Sequence, residues 1–280
     1  MAKDKMAALL RQGEDDDAPE PGKSLEDIIG HLSPSKIDMY ARCPMQVEWR
    51  YVKGVVAPPG IAMVEGSKYH ETAAYRNERV MKGKKVVVNE MLDHFADRVT
   101  DMLNKDGRDD IEWGDENEDT LLARSKKLIP KLCIDLAPIG KPLEVEGKFK
   151  TYVGPDRIPM VGITDLRDEG GVVDYKVVSQ RKSQGVADSS VQLTIYALYH
   201  KVKKVRLDQL VKTKEGDSLR LWSSRGPGDF KWLQTIATRT WNSIMSGSFP
   251  PCDPSSWVCS SKWCGWYQSC RGSYYSTGKK

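Results

Sequence analysis

The segment from Val161 to Lys176 constrains the fold more than any other stretch of this chain. Two apolar runs, Val161-Gly162-Ile163 and Val172-Val173, flank the turn-type cluster Asp168-Glu169-Gly170-Gly171, a pattern that predicts a β-hairpin. If the turn centres on Glu169-Gly170, residue 168 pairs with 171, 167 with 172 and 165 with 174. Asp165 and Asp174 then face each other across the strands, with Cβ atoms roughly 5 Å apart. Lys176 lies two residues further along and shares their face. Opposed carboxylates repel and weaken a sheet. A divalent cation between them removes that cost, because hard cations take carboxylate oxygens. The lysine can then hold a water or stabilise charge on a phosphate. The same spacing also fits an ordinary hairpin with a solvated polar face.

A chain of 280 residues is long enough for one large domain with a substantial core. It holds no run of eighteen apolar residues and no N-terminal apolar region before a cleavage site, so a cytoplasmic protein without a membrane span is expected. Net charge is +4, unevenly spread: residues 1–27 hold eight acids and four bases, which leaves +8 on the remainder. The stretch Glu14 to Gly22 is acidic and contains proline, and it is expected to be disordered. The basic remainder is compatible with a nucleic-acid partner. Four of the six cysteines crowd into residues 252–270, which in a cytoplasmic chain points to a metal or iron–sulfur centre rather than a disulfide framework.

Helices dominate the first half. Ser33 caps and Pro34 opens a helix running to about Tyr51, kinked or broken at Cys43-Pro44. Further helices are expected over 63–81, 89–104 and 120–135, with a charged loop over 105–119. The pattern then changes: a strand over 143–153, the hairpin, a polar loop over 182–188, a helix capped by Ser189 or Ser190, strands over 205–212 and 219–222, a helix over 229–245, and coil to Cys270. This order predicts an α/β fold, with a mixed sheet core flanked by helices and a helical N-terminal lobe.

His70 stands near the start of a helix and could complete a metal site with two carboxylates, or be simply structural. Gln192 and Tyr196 share a helix face at i, i+4 and offer donors for a phosphate or a carbonyl, unless Tyr196 only packs in the core. Cys252, Cys259, Cys264 and Cys270 match no common zinc pattern, yet their thiolates suit either iron–sulfur or tetrahedral zinc. Trp257, Trp263 and Trp266 interleave with them and could shield a cluster or stack on single-stranded bases. Cys133, in an apolar stretch, is expected to be a core thiol.

Four stretches together resemble the PD-(D/E)XK nuclease superfamily, in its RecB-like branch. They are Leu32-Ser33-Pro34-Ser35-Lys36-Ile37 with Tyr40-Ala41-Arg42-Cys43-Pro44; Gly66-Ser67-Lys68-Tyr69-His70-Glu71; Gly162-Ile163-Thr164-Asp165 with Asp174-Tyr175-Lys176; and Gln192 to Tyr196. With the terminal cysteines, they look most like the iron–sulfur exonucleases of the CRISPR-adaptation and AddB type, which bacteriophages also carry.

The resemblance implies a restriction-endonuclease-like core. It implies Mg²⁺ or Mn²⁺ bound by His70, Asp165 and Asp174 with the Tyr175 carbonyl. Lys176 would position water, and Gln192 and Tyr196 would support DNA and the site. It also implies a four-iron–four-sulfur cluster on Cys43, Cys259, Cys264 and Cys270, with zinc as the alternative. One departure is visible: relatives often show C-x2-C-x5-C, whereas Cys259 precedes Cys264 by four intervening residues, and Cys252 is an extra candidate. The implied organisation is an acidic tail (1–30), a helical lobe with Cys43 and His70 (31–141), a nuclease core (142–248) and a cysteine-rich segment (249–280). The implied activity is metal-dependent exonuclease action on DNA ends or single strands in recombination, replication or repair, with a recombination or replication protein as partner. The competing expectation is a catalytically weak DNA-binding accessory protein.

Overall fold

The computed structural model describes residues 23–106 and 111–274. The stretch 14–22 and positions 107–110 of the expected charged loop lie outside the described residues. The fold is α/β: a mixed five-stranded sheet in the order β1-β2-β3-β4-β5, flanked by helices. The chain divides into two compact units. One comprises Pro59–Phe149 and Gly162–Leu233; the other joins the segment ending at Pro58, Lys150–Val161, and the chain from Gln234 onward.

Local chemistry accounts for the helix starts. Helix α1 (Leu25–Ile29) begins with a capping box between Ser24 and Asp27. Helix α2 (Pro34–Arg42) opens on Pro34 behind Ser33, whose hydroxyl accepts from the Lys36 N–H. Pro44 interrupts the helix, as its ring demands, so the expected segment is broken rather than kinked. Cys43 turns extended, α3 (Pro44–Val47) follows, and a π-helical turn spans Glu48–Val52. Three long helices, α4 (Ile61–Met81), α5 (Val88–Asp106) and α6 (Glu118–Ile134), match the helices expected over 63–81, 89–104 and 120–135. Tyr69, Ala73, Met91, Phe95, Val99, Leu128, Ile129 and Leu132 pack with Leu166, Val173 and Leu210 of the sheet as one buried core. Cys133 is half-buried against this core, in line with its apolar neighbours.

Strand β1 spans Pro142–Val153, β2 Ile158–Asp168 and β3 Gly171–Val178. The β2–β3 register is the one that the turn chemistry predicts: Leu166 pairs with Val173, Arg167 with Val172 and Asp168 with Gly171. Gly171 could carry no side chain, because a Cβ there would lie 2.4 Å from the Lys204 carbonyl oxygen at a φ of 134°. After β3 the chain crosses through α7 (Gln184–Asp188) and α8 (Val191–His200) to β4 (Lys204–Val211), which pairs parallel to β3. Strand β5 (Asp217–Ser224) closes the sheet antiparallel to β4. Helix α9 (Pro227–Met245) follows, and the last helix, α10 (Tyr267–Tyr274), begins within the stretch expected as coil to Cys270. The polar stretch 182–188 likewise contains α7.

Candidate metal centre and active site

Three elements of the first unit bring the expected residues together. Strand β3 alternates, so Asp174 and Lys176 share one face while Tyr175 points to the other. Asp165 on β2 sits opposite. Its Oδ2 accepts the Tyr175 backbone N–H at 2.8 Å, taking a donor that a strand carbonyl would otherwise use. Helix α4 supplies His70, whose Nδ1 lies 3.4 Å from the same Oδ2. The other histidines are engaged elsewhere. His31 contacts Lys36, His94 stacks on Tyr75, and His200 bonds to Thr164.

Lys176 Nζ reaches Asp174 Oδ1 at 2.9 Å and Gln192 Oε1 at 3.0 Å. Gln192 Nε2 donates to the Tyr196 hydroxyl at 2.6 Å, which in turn donates to the Ile163 carbonyl. The i, i+4 pair on α8 therefore extends the site, and the chain of bonds returns to β2 two residues before Asp165. Tyr196 is also buried, so its packing role and its polar role coexist. Ser190, one of the two expected caps, starts α8 by accepting the Leu193 N–H and so sets where Gln192 falls.

The electrostatics are those of a crowded acidic pocket. Burial raises Asp174 to about 6, and the nearby Asp165 charge adds to this against the opposing pull of Lys176. Burial also works against ionised Asp165, yet His70, Lys176 and the Tyr175 N–H together hold it below its ordinary value. Burial pulls His70 down, but Asp165 outweighs it and leaves the imidazole above its ordinary value. One negative charge is thus settled and the second is resisted, an imbalance that a dication would correct.

Glu146 was not among the expected residues. It lies on β1 at a φ of 49°, a left-handed conformation rare for a non-glycine residue within a strand. One ligand atom each from His70, Glu146 and Asp165 fall within 4.8 Å of one another. Glu146 is exposed at its surface, yet the protein crowded around its carboxyl and the Asp165 charge push it up to about 7. The sequence carries one signal of this: Gly147 is an isolated glycine in a strand, the kind of position where the chain can depart from regular pairing. One imidazole and two carboxylates (His70, Glu146, Asp165) thus offer a mixed nitrogen and oxygen donor set that Mg²⁺ or Mn²⁺ would fit.

In the second unit the cysteines converge. Cys252 is pushed up to about 12 by burial and by hydrogen bonding with Cys43 and Cys259. Cys270 is raised by burial and by the neighbouring Cys43, Cys264 and Cys259. Gln46 Nε2 donates to Cys264 Sγ at 3.4 Å, and Cys270 Sγ lies 3.2 Å from Met45 Sδ. The Pro44 break therefore positions Cys43, Met45 and Gln46 among the C-terminal thiols. All five of these cysteines are free, and Cys252, the extra candidate, is one of the group.

A family model for the PD-(D/E)XK nuclease superfamily matches residues 31–271. The chain belongs to the PD-(D/E)XK nuclease superfamily. Among solved structures, this nuclease is similar to a crystal structure from Eubacterium rectale provisionally described as an exonuclease. That match has 12% identity and a TM-score of 0.53, and covers 86% of this chain and 91% of the other. A solved structure of SSO0001 matches at 15% identity over 97% of this chain and 94% of the other, with a TM-score of 0.39. The first likeness supports the fold alone; the second adds nothing to it. No curated protein matches the sequence. Among the described residues, no helix of this PD-(D/E)XK nuclease is long and apolar enough to cross a membrane.

Proposed function

We propose that this chain is a cytoplasmic, divalent-metal-dependent deoxyribonuclease of the RecB-like branch, acting as an exonuclease on DNA ends or single strands in recombination, replication or repair. The observation that carries the reading is the convergence of His70, Asp165, Asp174 and Lys176 from one helix and two strands, with Lys176 bonded to both Asp174 and Gln192. His70, Asp165 and Asp174, with the Tyr175 carbonyl, would hold Mg²⁺ or Mn²⁺, and Glu146 is placed to join them. When bound, such an ion would supply Lewis-acid activation of water and offset charge on the phosphodiester. Lys176 orients the attacking water and stabilises the charge that develops on the phosphate. Gln192 holds the lysine in place, and Tyr196 fixes Gln192 against the Ile163 carbonyl. In the second unit, Cys43, Cys259, Cys264 and Cys270 would bind a four-iron–four-sulfur cluster, with Cys252 as a fifth thiol beside it. A recombination or replication protein is the expected partner.

The test is digestion of end-labelled single- and double-stranded DNA by anaerobically purified protein with Mg²⁺, Mn²⁺ or chelator. Metal-dependent degradation that disappears in Lys176→Ala and Asp174→Ala supports the proposal. Tight, metal-independent binding without products from a folded wild-type protein would replace it with an accessory DNA-binding role.

A further inference from the structure

Within the cysteine-rich segment, the three tryptophans do different things. Trp266 is buried and donates its Nε1–H to the Val55 carbonyl at 2.7 Å, and Val258 is buried beside the cysteines in sequence. Trp257 and Trp263 are 63% and 58% exposed. Two such exposed rings in contact within one short segment form an apolar surface patch of the kind that marks an interaction site. The two form an edge-to-face pair with centroids 5.8 Å apart and planes at 85°. In such a pair only one ring lends a face to the other, and with Lys262 over the Trp263 ring more than half of each residue's surface still meets solvent. Backbone turns hold the pair in place: the Cys259 N–H reaches the Ser256 carbonyl, and the Trp263 and Cys264 N–H groups reach the Ser260 carbonyl.

The surroundings indicate what would cover these rings. Lys262 Nζ lies 5.3 Å from the Trp263 ring centroid, and Arg271 stands over Tyr267. Asp253 is the one acid among residues 251–274, against the two bases Lys262 and Arg271. Open aromatic faces beside cations are what an unpaired, negatively charged strand needs: bases stack on the rings while phosphates meet the cationic groups. A paired duplex hides all but its terminal base faces within its own stack, so an unpaired strand offers the indoles far more to stack on.

We infer that Trp257 and Trp263, with Lys262, form a stacking platform for single-stranded DNA in the second unit, built from residues other than those of the metal site. The inference rests on the nuclease reading, because it takes DNA as the substrate, and it names the strand form that this chain grips. Because Trp266 and Val258 do the local packing, the two exposed rings can be removed without unfolding the segment.

The experiment compares wild type with the Trp257→Ala/Trp263→Ala double variant, both anaerobically purified. Binding of labelled oligothymidylate is measured without added divalent metal, alongside a blunt duplex. Hydrolysis of bis(p-nitrophenyl) phosphate with Mn²⁺ reports the chemistry on a diester that has no base to stack. The expected result is a loss of single-strand affinity of about 10-fold or more, at roughly one stacked base per ring. Duplex affinity should change far less, and small-diester hydrolysis should stay unchanged. Equal single-strand affinity in the two proteins overturns the platform. If the double variant also sediments as a smaller species, a second copy of this chain is what covers the rings. If wild type binds strands through the tryptophans yet hydrolyses neither diester nor DNA, the nuclease reading fails while the platform stands.

Discussion

Arg76 Nη2 donates to the Tyr175 hydroxyl across 2.7 Å, tying helix α4 to strand β3. The guanidinium is fully buried and also serves the Asn77 side chain and the carbonyls of Leu132 and Leu136 at the end of α6. Tyr175 lies between Asp174 and Lys176 in the chain, and Arg76 follows His70 by six residues on the same helix. One buried cation on the far side of the strand therefore relates the helix that brings the histidine to the strand that brings the carboxylate and the lysine. Arg76→Met should lower stability by about 3 kcal/mol in urea denaturation, because it leaves several buried acceptors without donors. Tyr175→Phe, which keeps the ring, should lower it by about 1 kcal/mol. A fully stable Arg76→Met protein would show that the clamp is incidental.

Asp174 is held in its site against its own preference. Its folded value of about 6 lies above the ordinary 3.8, even with Lys176 beside it. Asp174→Asn should therefore abolish metal-dependent cleavage while raising the stability of the metal-free protein at pH 8, by on the order of 1–3 kcal/mol. Thermal melts in chelator beside a digestion assay read both effects. A variant that loses activity and stability together would contradict this account.

The same groups set a pH dependence. A carboxyl whose folded value exceeds its unfolded one holds its proton more tightly when native, so stability falls as pH rises across the gap. The gap runs from 3.8 to about 6 for Asp174 and from 4.5 to about 7 for Glu146. His70, raised above 6.5, adds stability that is present below that value and lost as pH rises through its folded value. Asp165 is lowered and acts oppositely, losing its contribution only as pH falls below 3.8. In chelator, the melting temperature should decline between about pH 4 and 7. Glu146→Gln should flatten the upper part of that decline, and Mn²⁺ should restore more stability at the top of the range than at the bottom. A slope indifferent to Glu146→Gln would show that its carboxyl does not sense the pocket.

Gly162 has a steric reason to be glycine. A Cβ there would lie 2.5 Å from the Phe149 ring, which stacks on Tyr199 and meets Tyr196 edge-on. Gly162→Ala should cost about 1–3 kcal/mol through overpacking. It should also lower cleavage by moving Tyr196, the anchor of Gln192. Kinetics at saturating metal, beside a urea titration, check both parts.

The cysteines make a prediction that needs no DNA. Anaerobic protein should be brown, with iron and acid-labile sulfide present, and removing any of Cys43, Cys259, Cys264 or Cys270 should bleach it. Cys252→Ala should keep the colour if Cys252 is the fifth thiol. A colourless protein carrying stoichiometric zinc would assign the thiolates to that metal, since zinc is d¹⁰.

What the sequence determined by itself was local. The β2–β3 register follows from a two-residue turn, and a period of two then places Asp174 and Lys176 on one face. Capping explains where α2 and α8 begin, and helix pitch alone sets Gln192 beside Tyr196. These depend on neighbours a few residues apart, so they can be read along the chain. The tertiary structure decided what depends on distant partners. It set His70, one of four histidines, beside Asp165 by docking α4 against β3. It brought in Glu146, whose strained backbone has meaning only once Asp165 stands near it. It paired β3 parallel to β4, and it drew Cys252 to Cys43 across more than two hundred residues of chain. No periodicity records such meetings, because packing a common core, rather than any local rule, brings those residues together.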